Sequence, residues 1–258
     1  MRAEEVKPYE KEGRKGKQVE AMFDSIAPAY DFMNTAMTFG MHRRWLHKAL
    51  DSAWKSLDGR EPAAIVDLAT GTGEVAFSLA GRFPDAAVKG VDLSEGMLAV
   101  AREKLAEREE REERGENGER GKRRIRFVQG DCLALDDADG SFDLLTIAYG
   151  VRNFENLEKG FREFYRVLRP GGVCMILELS RPEIRFVRLG YDLYSRTLIP
   201  LAGRLVSKDR RAYSYLPESI AAMPPRRRIA EMLGEAGFKK VNFKSMTFGV
   251  VTFYIAEK

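Results

Sequence analysis

From about residue 60 onward, short apolar runs alternate with stretches of helical periodicity. Ala64-Ile65-Val66-Asp67-Leu68 is an apolar run closed by turn residues, which predicts a first strand, and Glu74 to Arg82 after it predicts a helix. Ala87-Val88-Lys89-Gly90-Val91-Asp92 predicts strand two, followed by Ser94 as the cap of a helix with Glu95 in its first turn. Ile125 to Gln129 and Phe142 to Ala148 predict strands three and four; Leu157 to Leu168 is a helix stopped by Pro170, and Gly172 to Leu179 is strand five. Pro225 to Gly237 carries Ile229, Met232 and Leu233 at helical spacing, and two strand-like runs follow, Val241 to Met246 and Val250 to Ala256. Such alternation is the signature of an α/β fold with a parallel sheet and helices on both faces. Residues 1–60 and 181–225 fall outside the rhythm; both fit helical material of the kind that shapes a substrate pocket.

Composition narrows the class. With 258 residues, of which 44% are hydrophobic and 10% aromatic, the chain has ample material for a core, against wholesale disorder or a small disulfide scaffold. Its longest strongly apolar run, Val173-Cys174-Met175-Ile176-Leu177, is far short of the roughly 20 residues of a membrane-spanning helix. The charged start of the chain resembles no secretory signal, so a cytosolic protein with Cys132 and Cys174 reduced is expected. No metal site is expected, because His42 and His47 are five apart on a helix and neither cysteine lies near another ligand.

The net charge of +4 could indicate nucleic acid, but the distribution argues otherwise. Residues 102–124 are dense in charge yet nearly balanced in sign, which predicts a solvated helix end running into a loop around Gly115 to Gly121. Arg43-Arg44, Arg210-Arg211 and Arg226 to Arg228 are short and scattered, without interleaved aromatics, so no nucleic-acid partner is expected.

The sharpest chemical signal is Asp67-Leu68-Ala69-Thr70-Gly71-Thr72-Gly73-Glu74, set between a strand and a helix. Gly71 and Gly73 allow a tight turn and close approach of a ligand at the carboxyl end of strand one, where open parallel sheets bind nucleotides. Asp92 ends strand two, where a carboxylate can accept both ribose hydroxyls. The run also satisfies the dinucleotide pattern, so an NAD-dependent oxidoreductase is a rival. Asp67 argues against a pyrophosphate and favours the cationic end of S-adenosylmethionine. Gly130-Asp131-Cys132 after strand three is a place for an acid to accept the adenine amino group.

Longer runs carry a resemblance. Residues 22–34 (MFDSIAPAYDFMN), 39–45 (FGMHRRW), 149–154 (YGVRNF), 166–172 (RVLRPGG), 178–182 (ELSRP), 213–220 (YSYLPESI) and 247–251 (TFGVV), with the Gly71 loop, resemble the menaquinone/ubiquinone biosynthesis C-methyltransferase family, within the class I S-adenosylmethionine-dependent methyltransferases. The resemblance runs from about Val19 to the C-terminus. It implies a Rossmann-like, seven-stranded, mostly parallel sheet, with a helical N-terminal extension or lid over 1–60 and a methyltransferase domain over 61–258. Within that domain 102–124 is an outward charged insertion, longer than the family's usual link, and 181–225 a substrate-side insert.

The implied reaction is methyl transfer from S-adenosylmethionine to a ring carbon of demethylmenaquinol, or of the benzoquinol analogue on the ubiquinone pathway. By family motif the cofactor contacts carry over to Thr72, Asp92, Asp131 and Cys132; a serine that often faces the cofactor after strand four is Ala148 here. Deprotonating the ring hydroxyl puts negative charge on the ortho carbon, which attacks the methyl group. Arg152 is the candidate for a fixed positive charge beside that oxygen, with a salt bridge holding the loop as its plain alternative. A positioned water or carboxylate takes the proton. Tyr30 is the second candidate catalytic residue, in a helix that could fold over the cofactor, although Met22, Phe23, Ile26, Tyr30 and Met33 also have packing periodicity. Asn153 would support Arg152 or cap the next helix, and His42 reads as structural.

A non-catalytic scaffold that binds S-adenosylmethionine is a further rival, against which the Gly-Val-Arg-Asn run speaks. A prenylated substrate implies peripheral contact with the membrane, at its inner face. Phe186, Leu189, Tyr191, Leu193, Tyr194, Leu198 and Ile199 are the candidate surface, and the same pattern fits a subdomain core or a homodimer contact.

Overall fold

In the computed structural model, which describes residues 3–9, 12–114, 124–194, 197 and 210–258, the apolar runs pair into one seven-stranded sheet. The strands are β1 (Ala64–Leu68), β2 (Ala87–Asp92), β3 (Ile125–Gln129), β4 (Phe142–Ala148), β5 (Leu168–Leu179), β6 (Lys240–Met246) and β7 (Val251–Glu257), in the order β3-β2-β1-β4-β5-β7-β6. The first five are parallel, and β7 runs antiparallel between β5 and β6. Each strand lies within a residue or two of its sequence position except β5, which begins at Leu168 rather than Gly172. Leu168 pairs with Phe142 and the ladder then slips before Leu144 meets Val173, so Pro170 sits where a missing N–H breaks no pairing.

Alternation along the central strands splits the interior in two. Ile65, Val88, Leu144 and Met175 face α3 (Met41–Ser56), α4 (Glu74–Arg82) and α5 (Glu95–Glu113), meeting Leu46, Leu50, Leu79 and Leu98. Their neighbours Val66, Leu145 and Ile176 face α6 (Leu157–Val167) and α9 (Arg226–Glu235), meeting Phe161, Phe164 and Leu233. Full burial of side chains this size stabilises by about 1.5–3 kcal/mol each, so both helical layers are held firmly to the sheet.

The N-terminal sixty residues divide by packing. Helix α3 belongs to the sheet's own core through Trp45, Leu46, Ala49, Leu50 and Ala53. Helices α1 (Lys15–Ile26) and α2 (Tyr30–Thr38) instead lie over the carboxyl edge, where Val19, Met22, Ile26 and Met33 pack on Met97 of α5. They also meet Ala212 and Tyr215 of α8 (Arg210–Ala222), so the N-terminal segment and the insert after β5 share one small core above the sheet. Past the C-terminal end of α7 (Arg185–Leu193), the Tyr194 hydroxyl donates to the Met37 carbonyl of α2 at 2.7 Å. Helix α5 carries the charged sequence as far as Glu113; the loop expected at Gly115 to Gly121, and Leu198 and Ile199, lie outside the described residues. Among the described residues no helix is long and apolar enough to cross a membrane.

Candidate active site

Strand order reverses between β1 and β4, and the loops leaving β1, β2, β3 and β4 converge there on one cavity. The β1 loop turns through left-handed backbone at Ala69 (φ 48), Gly71 (φ 56) and Gly73 (φ 84). Beneath it, Asp67 is fully buried, accepting the Thr70 hydroxyl at 2.6 Å and the Thr146 hydroxyl at 2.7 Å. Both carboxylate oxygens are thus engaged in holding the loop to the sheet, and burial pushes the group up to about 7. Asp67 was expected to face the cofactor; the structure places it under the loop and outside the cavity wall.

Gly73 and Thr72 also serve the loop's anchoring. A Cβ on Gly73 would stand 2.8 Å from Phe127 and 2.9 Å from Phe77, so that glycine permits packing of the turn on α4 and β3. The Thr72 hydroxyl donates to Asp31 of α2 at 2.5 Å, and Lys104 of α5 pairs with the same carboxylate, so Thr72 ties down the N-terminal helices instead of lining the cavity.

The remaining cofactor candidates do line it. Gly71, Asp92, Asp131 and Cys132 form one wall, with Leu93, Met97 and Leu133 supplying apolar surface. Asp92 accepts the Gly71 N–H at 2.8 Å and the Ser94 N–H at 2.9 Å, which fixes its orientation and leaves further lone pairs for a ligand. Burial raises its ionisation above the usual carboxylate range, so hydroxyl donors from a ligand would be favoured partners. Asp131 is held by the Leu133 N–H at 2.9 Å, and the Cys132 thiol, pushed up by burial, is a neutral part of the wall. Ala148 lines the cavity too.

A second cavity adjoins the first across Phe23, Tyr30 and Tyr149, which line both. Tyr30 therefore stands at the junction, and Arg152 in the wall of the second cavity. The buried Arg152 side chain donates to Glu178 at 3.0 Å and to the Tyr149 carbonyl, while its backbone N–H donates to the other Glu178 oxygen at 3.2 Å. It is thus both a loop-holding ion pair and a cation beside the cavity. Two buried donors in this wall have no partner among the described residues, the Arg152 Nε and the Tyr149 hydroxyl. Among the described residues no carboxylate lines the second cavity, and Glu178 is bound to Arg152, so of the two acceptors expected from sequence, a positioned water or a carboxylate, the carboxylate is not in this wall. Asn153 neither supports Arg152 nor caps α6: it accepts the Tyr215 hydroxyl at 3.1 Å, and the cap is Asn156, which accepts the Lys159 N–H at 2.8 Å. The helix α7 splits by face, with Tyr191 and Tyr194 turned into the cavity and Phe186, Leu189 and Leu193 exposed.

Anchors that the sequence did not disclose close α1 over the first cavity. The buried Lys15 ammonium donates to the carbonyls of Ala3 (2.7 Å), Arg152 (3.0 Å) and Phe154 (3.2 Å), joining the N-terminal segment to the Arg152 loop. Burial lowers this ammonium to about 8. At the other end Asp24 accepts from the Ser94 hydroxyl at 2.6 Å and the Gly96 N–H at 2.9 Å, adding a second cap to α5 beside Ser94. Pairs this distant in the chain leave no periodic trace, although Asp24 falls within the N-terminal run that carried the resemblance.

Comparison with known proteins agrees with this geometry. A model of the ubiE/COQ5 methyltransferase family matches residues 11–258. A demethylmenaquinone methyltransferase of Bacteroides fragilis is 42% identical over 255 residues, covering 99% of this chain and 98% of its own. A ubiquinone/menaquinone biosynthesis C-methyltransferase UbiE of Dinoroseobacter shibae is 38% identical, covering 95% and 92%. Among solved structures, phosphoethanolamine N-methyltransferase 2 of Haemonchus contortus in complex with S-adenosyl-L-methionine superposes with a TM-score of 0.53 at 18% identity, over 76% of this chain and 48% of that one, a likeness of fold alone.

Proposed function

The chain belongs to the ubiE/COQ5 methyltransferase family, and on that premise we propose that it transfers the methyl group of S-adenosylmethionine to a ring carbon of demethylmenaquinol. The first cavity fits the methyl donor: Asp92 is oriented by two backbone donors toward the space a ribose would take, Asp131 offers an acceptor, and Met97 and Leu133 offer apolar faces to a base. When bound, the donor supplies an electrophilic methyl group on sulfur. Asp67 stiffens the loop from below, and Thr72 and Asp24 keep the N-terminal helices closed on it, which excludes water from the reacting groups.

The observation that carries the substrate reading is the pair of orphan donors in the second cavity. Buried N–H and O–H groups without acceptors are costly, and a phenolate oxygen would satisfy the Arg152 Nε and the Tyr149 hydroxyl together. Carbon becomes nucleophilic only as that oxygen gains charge, so donors fixed in place before reaction lower the barrier without reorganising. Tyr30, at the junction, helps bring the two reactants into contact. Expression in a bacterium that lacks its own demethylmenaquinone methyltransferase tests the proposal. Menaquinone is expected to reappear, and persistence of demethylmenaquinone alone would count against it.

The prenyl tail of such a substrate lies in a bilayer, and the protein meets it as a peripheral partner at the inner face of the cell membrane. Ile184, Phe186, Leu189 and Leu193 are exposed along α7 beside Arg185, and Phe39 and Phe248 are also exposed, each at a turn. Flotation with liposomes of anionic lipid should carry the protein upward, and recovery of all of it in the bottom fraction would refute membrane contact.

A further inference from the structure

The quinol must lose a hydroxyl proton before its carbon can attack, and few described groups in the second cavity can take it. Arg152 is already protonated and paired with Glu178. Tyr30, Tyr149, Tyr191, Tyr194 and Tyr215 are phenols whose burial raises their ionisation, that of Tyr191 to about 12, so none is ready as a base near neutral pH. Among the described residues lining this cavity, His42 is the one side chain of a type that accepts a proton in the physiological range.

His42 is held in a three-member arrangement. Left-handed backbone at Phe39 (φ 50) and Gly40 (φ 71) turns the chain between α2 and α3, bringing Thr38 against His42. The Thr38 Oγ1 lies 2.7 Å from His42 Nδ1, and His42 Nε2 lies 3.3 Å from Glu74 Oε1. Thr38 and His42 both line the second cavity, whereas His42 and Glu74 also line a separate groove on the outer side. The row therefore leads from the second cavity to the groove.

Resting on the reading of the second cavity as the quinol pocket, we propose that His42 accepts the ring hydroxyl's proton through Thr38, with Glu74 orienting the imidazole. The ring O–H bond breaks and its electron pair stays on the ring oxygen. That proton goes to Thr38 Oγ1 as the Thr38 hydroxyl gives its own proton to His42 Nδ1. Glu74 holds the Nε2–H and stabilises the imidazolium, the same division of labour as in a nucleophile–histidine–carboxylate triad. At rest the Thr38 hydroxyl donates to the Asn34 carbonyl at 2.6 Å, so it turns from that carbonyl to the unprotonated Nδ1 as the relay runs and returns to it once the imidazole is charged. The imidazolium then gives its Nε2 proton to the half-exposed Glu74 carboxylate, which releases it to solvent at the groove. Charged groups facing the row are Glu74 itself, Arg43 at 3.7 Å from Glu74, Arg152 in the wall of the same cavity, and Asp31, His47, Lys104 and Arg108 around the groove.

The test is methyl transfer to reduced short-chain demethylmenaquinol between pH 6 and 9, for the wild type, His42→Gln, His42→Ala and Thr38→Val. The wild-type rate should rise with pH to a plateau. His42→Gln should lose about 100-fold or more in turnover, with S-adenosylmethionine affinity unchanged, and its residual rate should climb with hydroxide and reach no plateau. Added imidazole should restore His42→Ala in proportion to its unprotonated form. Thr38→Val, close to isosteric, should lose at least tenfold even if the histidine variants fold poorly. Unchanged turnover and pH profile in His42→Gln, or full turnover in Thr38→Val, would overturn the inference, as would lost turnover with an unaltered profile and no imidazole rescue. Wild-type enzyme that methylates no quinol would instead strike the pocket reading on which the inference rests.

Discussion

Replacing Arg152 separates two roles that the geometry superimposes. Its guanidinium and the Glu178 carboxylate form a pair at 3.0 Å, with side chains 7% and 3% exposed. Arg152→Ala leaves that carboxylate in the interior with only the backbone donors of residues 152 and 179. Orphaning a buried charge in this way costs about 3–5 kcal/mol. In a chain of 258 residues each kcal/mol moves the unfolding midpoint by about 2 °C, so a fall of about 6–10 °C is expected. The double variant Arg152→Ala/Glu178→Gln removes the orphan charge while keeping a polar acceptor, and should regain most of that loss. Turnover should stay at least about 100-fold down in both variants, because the cation beside the developing phenolate is gone. Cofactor affinity should be unchanged, since Arg152 lines the second cavity and not the first. Scanning calorimetry, titration with S-adenosylmethionine and labelled methyl transfer read the three quantities separately. A double variant with restored stability and full turnover would reduce Arg152 to a structural pair, and a single variant as stable as the wild type would refute the account of the pair itself.

Asp92→Ala should weaken S-adenosylmethionine binding by at least about 100-fold, because the charge-assisted bonds at stake contribute about 1.5–3 kcal/mol each; calorimetry that finds unchanged affinity would remove Asp92 from the site. Gly90→Ala puts a Cβ 2.6 Å from Phe127 and 2.9 Å from Thr70, and should cost about 1–3 kcal/mol in urea unfolding through overpacking. Asp67 is raised from 3.8 to about 7, so the folded chain holds this proton more tightly than the unfolded one. Its contribution to stability is therefore full below about pH 4 and declines as pH rises through 7, by on the order of 4 kcal/mol. Asp67→Asn cannot ionise and should gain on the wild type between pH 5 and pH 8 in urea unfolding; a pH-independent difference would contradict this.

Strand and helix positions were legible because burial on both faces of a parallel sheet leaves compact apolar runs, and Asp92, Asp131 and the Gly71 loop were legible because chain order places them at strand ends. Within the loop motif, sequence could not apportion roles. Asp67, Thr72 and Gly73 belong to the same run as Gly71, yet the first two bind the Thr146 hydroxyl and the Asp31 carboxylate of other elements and the third makes room for Phe127. Aromatic content likewise made 181–225 one apolar patch in sequence, whereas helical periodicity sends Tyr191 and Tyr194 inward and Phe186 and Leu189 outward. Lys15 looked like one more charge in a polar start; its three carbonyl partners lie at residues 3, 152 and 154, and only folding brings them together. The partners of His42, Thr38 and Glu74, meet it through a left-handed turn and from the start of α4, so sequence order gives no sign of that contact.

The measurement that bears most directly on the central claim is transfer of labelled methyl from S-adenosylmethionine to short-chain demethylmenaquinol in its reduced form, beside the oxidised ring and the benzoquinol analogue. The account predicts label on the reduced naphthoquinol ring carbon and none on the oxidised ring, which has no hydroxyl proton to lose. Equal labelling of the oxidised ring would contradict the phenolate mechanism. No labelling of any ring, with S-adenosylmethionine still bound, would contradict the assignment of the second cavity to a quinol.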